Sequence, residues 1–150
     1  MEKKIPASFN LPPAQTEAER LAQKAKEALS DLVDIYVIQA RQDFQIMQDL
    51  LSQATSAPVD ERFHLIRDEF FVKMHDLKGQ GATFGYPLLT EIGAFACDFL
   101  RHKTEISSSD LDILKDTLSD MELVLKNNLT DSGGALGNDI RNHLKQRENG

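Results

Sequence analysis

The sequence predicts an all-α protein: an antiparallel up-down four-helix bundle with additional short N- and C-terminal helices. Three observations lead there. No glycine or proline interrupts the chain from Thr16 to Ala57. Apolar residues recur at steps of three and four in successive stretches, the spacing of one helical face. Nowhere is there sustained apolar/polar alternation or a hairpin turn between β-branched runs. The connections between the helical stretches are short, which makes sequential helices antiparallel neighbours.

Residues 1–15 read as a loose tail, because Pro6, Pro12, Pro13, Ser8 and Asn10 leave no periodicity. Thr16-Glu17-Ala18-Glu19 has the spacing of a capping box and opens the helical part, expected over residues 16–145. Leu29, Val33, Tyr36, Ala40, Phe44, Met47 and Leu51 form the first stripe. The stretch is long, so a break near Ser30–Asp31 is expected, separating a short first helix from a long second one. Pro58, followed by Asp60 and Glu61, starts the next helix with acids near the positive end of its dipole. Its stripe is Phe63, Ile66, Phe70, Met74, Leu77, Gly81 and Phe84, and Gly85-Tyr86-Pro87 closes it. Leu88, Leu89, Ile92, Phe95, Phe99 and Leu100 give a broad apolar face to the following helix. Ser107 to Asp110 offer N-caps for a helix carrying Leu111, Leu114, Leu118, Met121 and Leu125. After a break at Asn127–Gly134, Leu136, Ile140 and Leu144 suggest a short last helix, with residues 146–150 as a polar tail.

The net charge of -7 and the lack of a dense Lys/Arg cluster argue against nucleic acid as a partner. No apolar run is long enough for a signal peptide or a membrane span. The single cysteine, Cys97, cannot form an internal disulfide and fits a reducing, cytoplasmic setting. Its apolar neighbours Phe95, Ala96, Phe99 and Leu100 make it a buried, inert thiol.

If Phe63, Ile66, Phe70, Met74 and Leu77 point inward, His64, Asp68, Phe71, His75, Lys78, Gly79 and Ala82 lie sideways, at the margin of the core. His75 then stands between Phe71 one turn below and Lys78 and Gly79 one turn above. Neutral imidazole is a good nucleophile, and a nearby ammonium disfavours its protonation. The same ammonium can hold phosphoryl oxygens as a point charge. Glycine costs a helix interior about 1 kcal/mol relative to alanine, so two in one turn need a reason. Gly79 is assigned to access and Gly81, on the inward stripe, to close packing. Phe71 can anchor the apolar surface of a partner. His64 and Asp68 are expected to shape a docking rim. A metal site from His64, Asp68 and His75 is disfavoured, since His75 lies about 10 Å along the helix from Asp68. His102 and His143 read as solvated surface residues.

His75-Asp-Leu77-Lys78-Gly79-Gln-Gly81-Ala-Thr-Phe-Gly85, followed by Leu89 and Ile92, resembles the signature of histidine-containing phosphotransfer (HPt) domains. The resemblance covers about thirty residues, and the helical layout is compatible over roughly residues 29 to 129. It implies an exposed, phosphorylated His75 with Lys78 steadying the phosphoryl oxygens and Gly79, Phe71, Asp68, His64 and Ala82 meeting the partner. It also implies a phosphoryl carrier in a phosphorelay, not an enzyme in its own right; a monomer is expected. The partners implied are response-regulator receiver domains and a hybrid sensor histidine kinase. The carrier itself needs no cofactor, because Mg²⁺ is expected on the receiver domain. The family's second motif helix commonly ends in Leu-Glu, where this chain departs with Ala96-Cys97. Asp131-Ser-Gly-Gly-Ala-Leu-Gly137 is faintly similar to the glycine-rich lid of a histidine kinase, but no strands surround it and it reads as a loop. The competing function is a non-catalytic helical adaptor that binds signalling partners through the Phe71/His75 face.

Overall fold

A run of some forty residues with no helix breaker folds as one helix. In the computed structural model, whose described residues are 16–148, α1 spans Glu17–Ser56 without interruption. The break expected near Ser30–Asp31 is absent, and with it the separate short N-terminal helix. Serine and aspartate in a helix interior each cost only a fraction of a kcal/mol, roughly 0.5–0.7, too little to end a helix flanked by good formers. The expected tail at residues 1–15 lies outside the described residues.

The chain divides into two compact units between Leu32 and Val33. In the first, residues 16–32 are helical or capping and exposed throughout. The capping box forms here: the Glu19 backbone N–H donates to Thr16 Oγ1 at 3.1 Å, and the Thr16 N–H donates to Glu19 Oε2 at 3.2 Å.

The second unit holds the hydrophobic core. From Val33 onward α1 buries Tyr36, Ala40, Phe44, Met47 and Leu51. α2 (Val59–His64) runs directly into a π-helical segment (Leu65–Phe70) and then α3 (Phe71–Gly81). α4 spans Pro87–Arg101, α5 Ser108–Lys126 and α6 Gly134–Glu148. No strand occurs among the described residues. Most of the inward stripes read from the sequence are buried: Ile66, Phe70, Met74, Leu77 and Gly81 on α2–α3, Leu89 and Ile92 on α4, Leu114, Leu118 and Met121 on α5. Phe63, Phe84, Phe95 and Phe99 are only partly buried, and Leu29 of the first stripe is exposed, because the core begins beyond it at Val33. Among the described residues, no helix is long and apolar enough to cross a membrane.

Helix ends follow side-chain chemistry. Ser107 and Asp110 form a reciprocal capping box at the start of α5. At the end of α3, Gly85 adopts φ +93°, the Tyr86 N–H reaches Gly81 O at 2.8 Å and the Gly85 N–H reaches Ala82 O at 3.1 Å. That pair of bonds is a Schellman motif, and it needs the left-handed residue that glycine supplies most cheaply. α5 ends in the same way with Asn128, at φ 49°, in the left-handed place. The Tyr86 hydroxyl donates to Asn128 Oδ1 at 2.9 Å, tying the two helix ends together. The last helix is longer than expected. Ile140 and Leu144 are buried, and Arg147 on its final turn donates to Asp120 Oδ2 at 2.7 Å, so residues 146–148 are helix and not tail. Asp131–Gly137 forms the α5–α6 loop and the first turn of α6.

Candidate functional site

The candidate site is built on the outward side of α3, and its placement depends on how α3 lies against α4. The two helices approach until backbone meets backbone. A Cβ on Gly81 would stand 2.9 Å from both Leu89 Cβ and Thr90 Oγ1, and one on Gly93 would stand 2.7 Å from Lys78 Cβ. Neither position can take a larger side chain without parting the helices. The Thr90 hydroxyl locks the crossing, donating to Lys78 O at 2.8 Å while accepting from the Ala82 N–H at 2.8 Å. Both bonds are neutral and short, and together they set the hydroxyl between the Ala82 N–H and Lys78 O, a pair four residues apart that a continuing helix would join directly.

With that inner face fixed, His75 and Gly79 come to lie outside, exposed, while Met74 and Leu77 are buried. A Cβ on Gly79 would meet nothing within 4 Å, so the space one turn above His75 is open. The division between the two glycines therefore matches their surroundings: Gly81 admits the neighbouring helix, and Gly79 leaves a gap in the surface. The Lys78 stem crosses Gly93 on the α4 side of this gap. Its ammonium also reaches Cys97 electrostatically. Burial pushes the Cys97 thiol above its ordinary range, and the cations Lys78 and Arg101 pull it only part of the way back. Cys97 is fully buried and so offers no accessible nucleophile.

Below His75 the packing is aromatic. The Phe71 ring lies against the imidazole with centroids 6.2 Å apart and planes inclined by 29°. The Arg67 guanidinium lies 5.4 Å from the centre of the same Phe71 ring and 6.0 Å from that of Phe63. Arg67 is held in turn by donating to Leu100 O, at the last turn of α4, at 3.0 Å. The result is a ladder, Arg67–Phe71–His75, at steps of four residues. Sequence reading missed Arg67 and Thr90. An arginine four residues before an aromatic, itself four before the histidine, was the available signal for the first.

The remaining candidates sit around this ladder. His64 Nδ1 and Asp68 Oδ2 are 3.2 Å apart, with both side chains about seven-tenths exposed. Among the described residues no hydrogen bond or ion pair joins them to His75. Asp68 lies within the π-helical segment and His64 immediately before it, a feature the sequence did not signal. π-bulges are rare and occur preferentially next to functional residues. This one closes with the Phe71 N–H donating to Ile66 O, immediately before the ladder. Ala82, at the end of α3, is exposed with its N–H committed to Thr90. Among the described residues no group of three or more His, Cys, Asp or Glu side chains is arranged to hold a metal ion.

Chemically, the arrangement presents one imidazole to water, braced on one side by an aromatic ring that also carries Arg67, and open on the other, with Lys78 three residues further along the helix. Such a group can attack an electrophile carried in by a second molecule. No family model, curated protein or solved structure matches the chain.

Proposed function

We propose that the protein is a phosphoryl carrier of the HPt type, whose second unit is an antiparallel four-helix bundle acting in the cytoplasm between receiver domains. The observation that carries this reading is the open space over Gly79, one turn from the exposed His75 on a helix whose inner face is closed by Gly81. A glycine there has no packing duty to explain it, so its helix-weakening presence points to a visitor that must approach the imidazole.

The reaction is a displacement at phosphorus. A nitrogen of neutral His75 attacks the phosphoryl group of an aspartyl phosphate on the receiver domain. The N–P bond forms as the P–O bond to aspartate breaks, and the electron pair leaves with the carboxylate. The Lys78 ammonium offsets charge on the phosphoryl oxygens, a Mg²⁺ held by the receiver would supply further charge neutralisation, and positioning does most of the remaining work. The Arg67–Phe71 stack holds the imidazole in a fixed attitude, and Phe71, His64, Asp68 and Ala82 form the rim that the receiver covers. Transfer to the next receiver is the same step reversed. The response regulators and hybrid sensor kinase that supply and consume the group are thus the partners of this reading.

The test is incubation with a phosphorylated receiver domain. The wild-type chain should acquire an acid-labile, base-stable label, and His75→Gln none. Because His75 is exposed, that variant keeps its fold, and its affinity for the receiver should hardly change. Equal labelling of the two proteins rejects the site.

A further inference from the structure

In the first unit, Ala18, Leu21, Ala25, Ala28 and Leu32 follow one another at steps of three, four, three and four. Alternating steps of three and four are the spacing of a coiled-coil seam. Leu29 widens the same face. Leu21, Leu29 and Leu32 are 57, 53 and 51% exposed, although large apolar side chains in a row normally mark an interface. Every other described residue of this unit is exposed as well. A helical stretch of this length gains little from propensity alone and needs packing along one face to persist.

We infer that this face is covered by the same face of a second copy of the chain, running antiparallel. The charges choose the occupant and its direction. With Ala18, Ala25 and Leu32 at the first core position of the heptad, Lys24 and Asp31 both flank one side of the seam. Ala22 and Leu29 flank the other. Antiparallel helices bring like flank to like flank, so Lys24 of each copy meets Asp31 of the other, twice over the dyad. Ala22 meets Leu29 on the opposite side in the same way. A parallel pair would set the charged flank against Ala22 and Leu29 and leave both ions without a partner. In the antiparallel register Leu21 packs on Leu32 at both ends, and Ala25 on Ala28 at the centre, where small side chains let the backbones come close. The seam is short, so the dimer forms and dissociates with concentration. This differs from the monomer expected at the level of the sequence.

Sedimentation velocity on the full chain tests it. The mass should rise from 16.8 kDa toward twice that value as concentration increases. Leu21→Asp with Leu32→Asp should hold the chain at the monomer mass. Lys24→Asp should weaken the dimer at least tenfold, and adding Asp31→Lys should restore it, which a parallel pair would not do. All four positions are exposed, so the variants keep their fold, checked by far-ultraviolet circular dichroism. Mixing Ala25→Cys with Ala28→Cys under mild oxidation should give the mixed disulfide in preference to either like pair. A monomer at every concentration overturns the inference, as does a dimer indifferent to Leu21 and Leu32, or preferential like-pair disulfides. A chain that dimerises only after residues 1–15 are removed also overturns it, and assigns the face to the protein's own N-terminal segment.

Discussion

The α3–α4 crossing and the docking of α6 are held by opposite means. α3 and α4 meet through Gly81, Gly93, the stem of Lys78 and a threonine hydroxyl, with no ion pair between the two helices among the described residues. α6 is fastened by ions: Arg147, 14% exposed at its side chain, donates to the 7%-exposed Asp120 and to Thr117 Oγ1, with His143 Nδ1 3.8 Å from the same carboxylate. Arg141 further bridges Glu91 at 3.0 Å and Ser132 O at 2.9 Å. Close steric fit between uncharged groups is little affected by salt or pH, whereas ion pairs respond to both. The α4 contact of the helix carrying His75 is therefore insensitive, although Lys73 of the same helix also pairs with Asp43 of α1 at 3.4 Å. α6 can loosen with ionic conditions while the α3–α4 contact keeps its place.

The largest expected effect breaks the ionic joint. Arg147→Ala leaves the Asp120 carboxylate buried beside only a partial partner, His143, and should cost on the order of 3 kcal/mol in urea unfolding. Hydrogen exchange should show the loss concentrated in α6. Next comes the steric joint: Gly81→Leu must push Leu89 and Thr90 aside, costing about 2 kcal/mol or more and lowering protection in both α3 and α4. The contrast sharpens if the Arg147 variant leaves exchange at Lys78–Ala82 unchanged.

A third, smaller effect concerns pH. Burial raises the Asp110 carboxyl, but the Ser107 backbone N–H and the Lys103 ammonium outweigh it and hold the group below the ordinary aspartate range. A depressed folded-state value means stability that is complete above the unfolded value of about 3.9 and is lost as pH falls through the folded one. Ser107→Ala should cost about 1 kcal/mol at neutral pH. The difference in urea midpoint between wild type and Asp110→Asn should shrink on acidification below that range. The smallest effect is expected at Gly79→Ala, which meets open space and should leave stability unchanged or raise it by up to about 1 kcal/mol. Gly79→Leu should be equally well folded yet slow phosphoryl transfer on the order of tenfold or more, if a receiver occupies that gap.

Periodicity and turn chemistry made most of the helices readable in advance. The inward stripes of α3, α4 and α5 are runs of Leu, Ile, Met and Phe at helical spacing, and the stops at Gly85 and Asn127–Gly134 are glycine or asparagine positions with a stereochemical reason. The different surroundings of Gly79 and Gly81 were also legible, because two residues along a helix is enough to turn from the core to the surface. What stayed hidden depends on contacts distant in sequence or on small energy differences. Thr90 becomes a lock only when it meets α3, and Arg67 is placed by a carbonyl thirty-three residues later. The continuity of α1 past Ser30 reflects the sum of many weak propensities, and no single residue announces it. The π-helical segment sits among ordinary helix formers and adjusts the phase of a stripe whose steps of four and four would otherwise drift.

Cys97 gives the molecule its own clock. The thiol lies fully buried in α4, and burial keeps it protonated above its ordinary range. A thiol reagent can therefore react only during the moments when this part of the core comes apart. Because the chain has a single cysteine, the rate of its modification reports that opening with no added probe: the opening rate itself where reagent outpaces reclosing, and the open population where it does not.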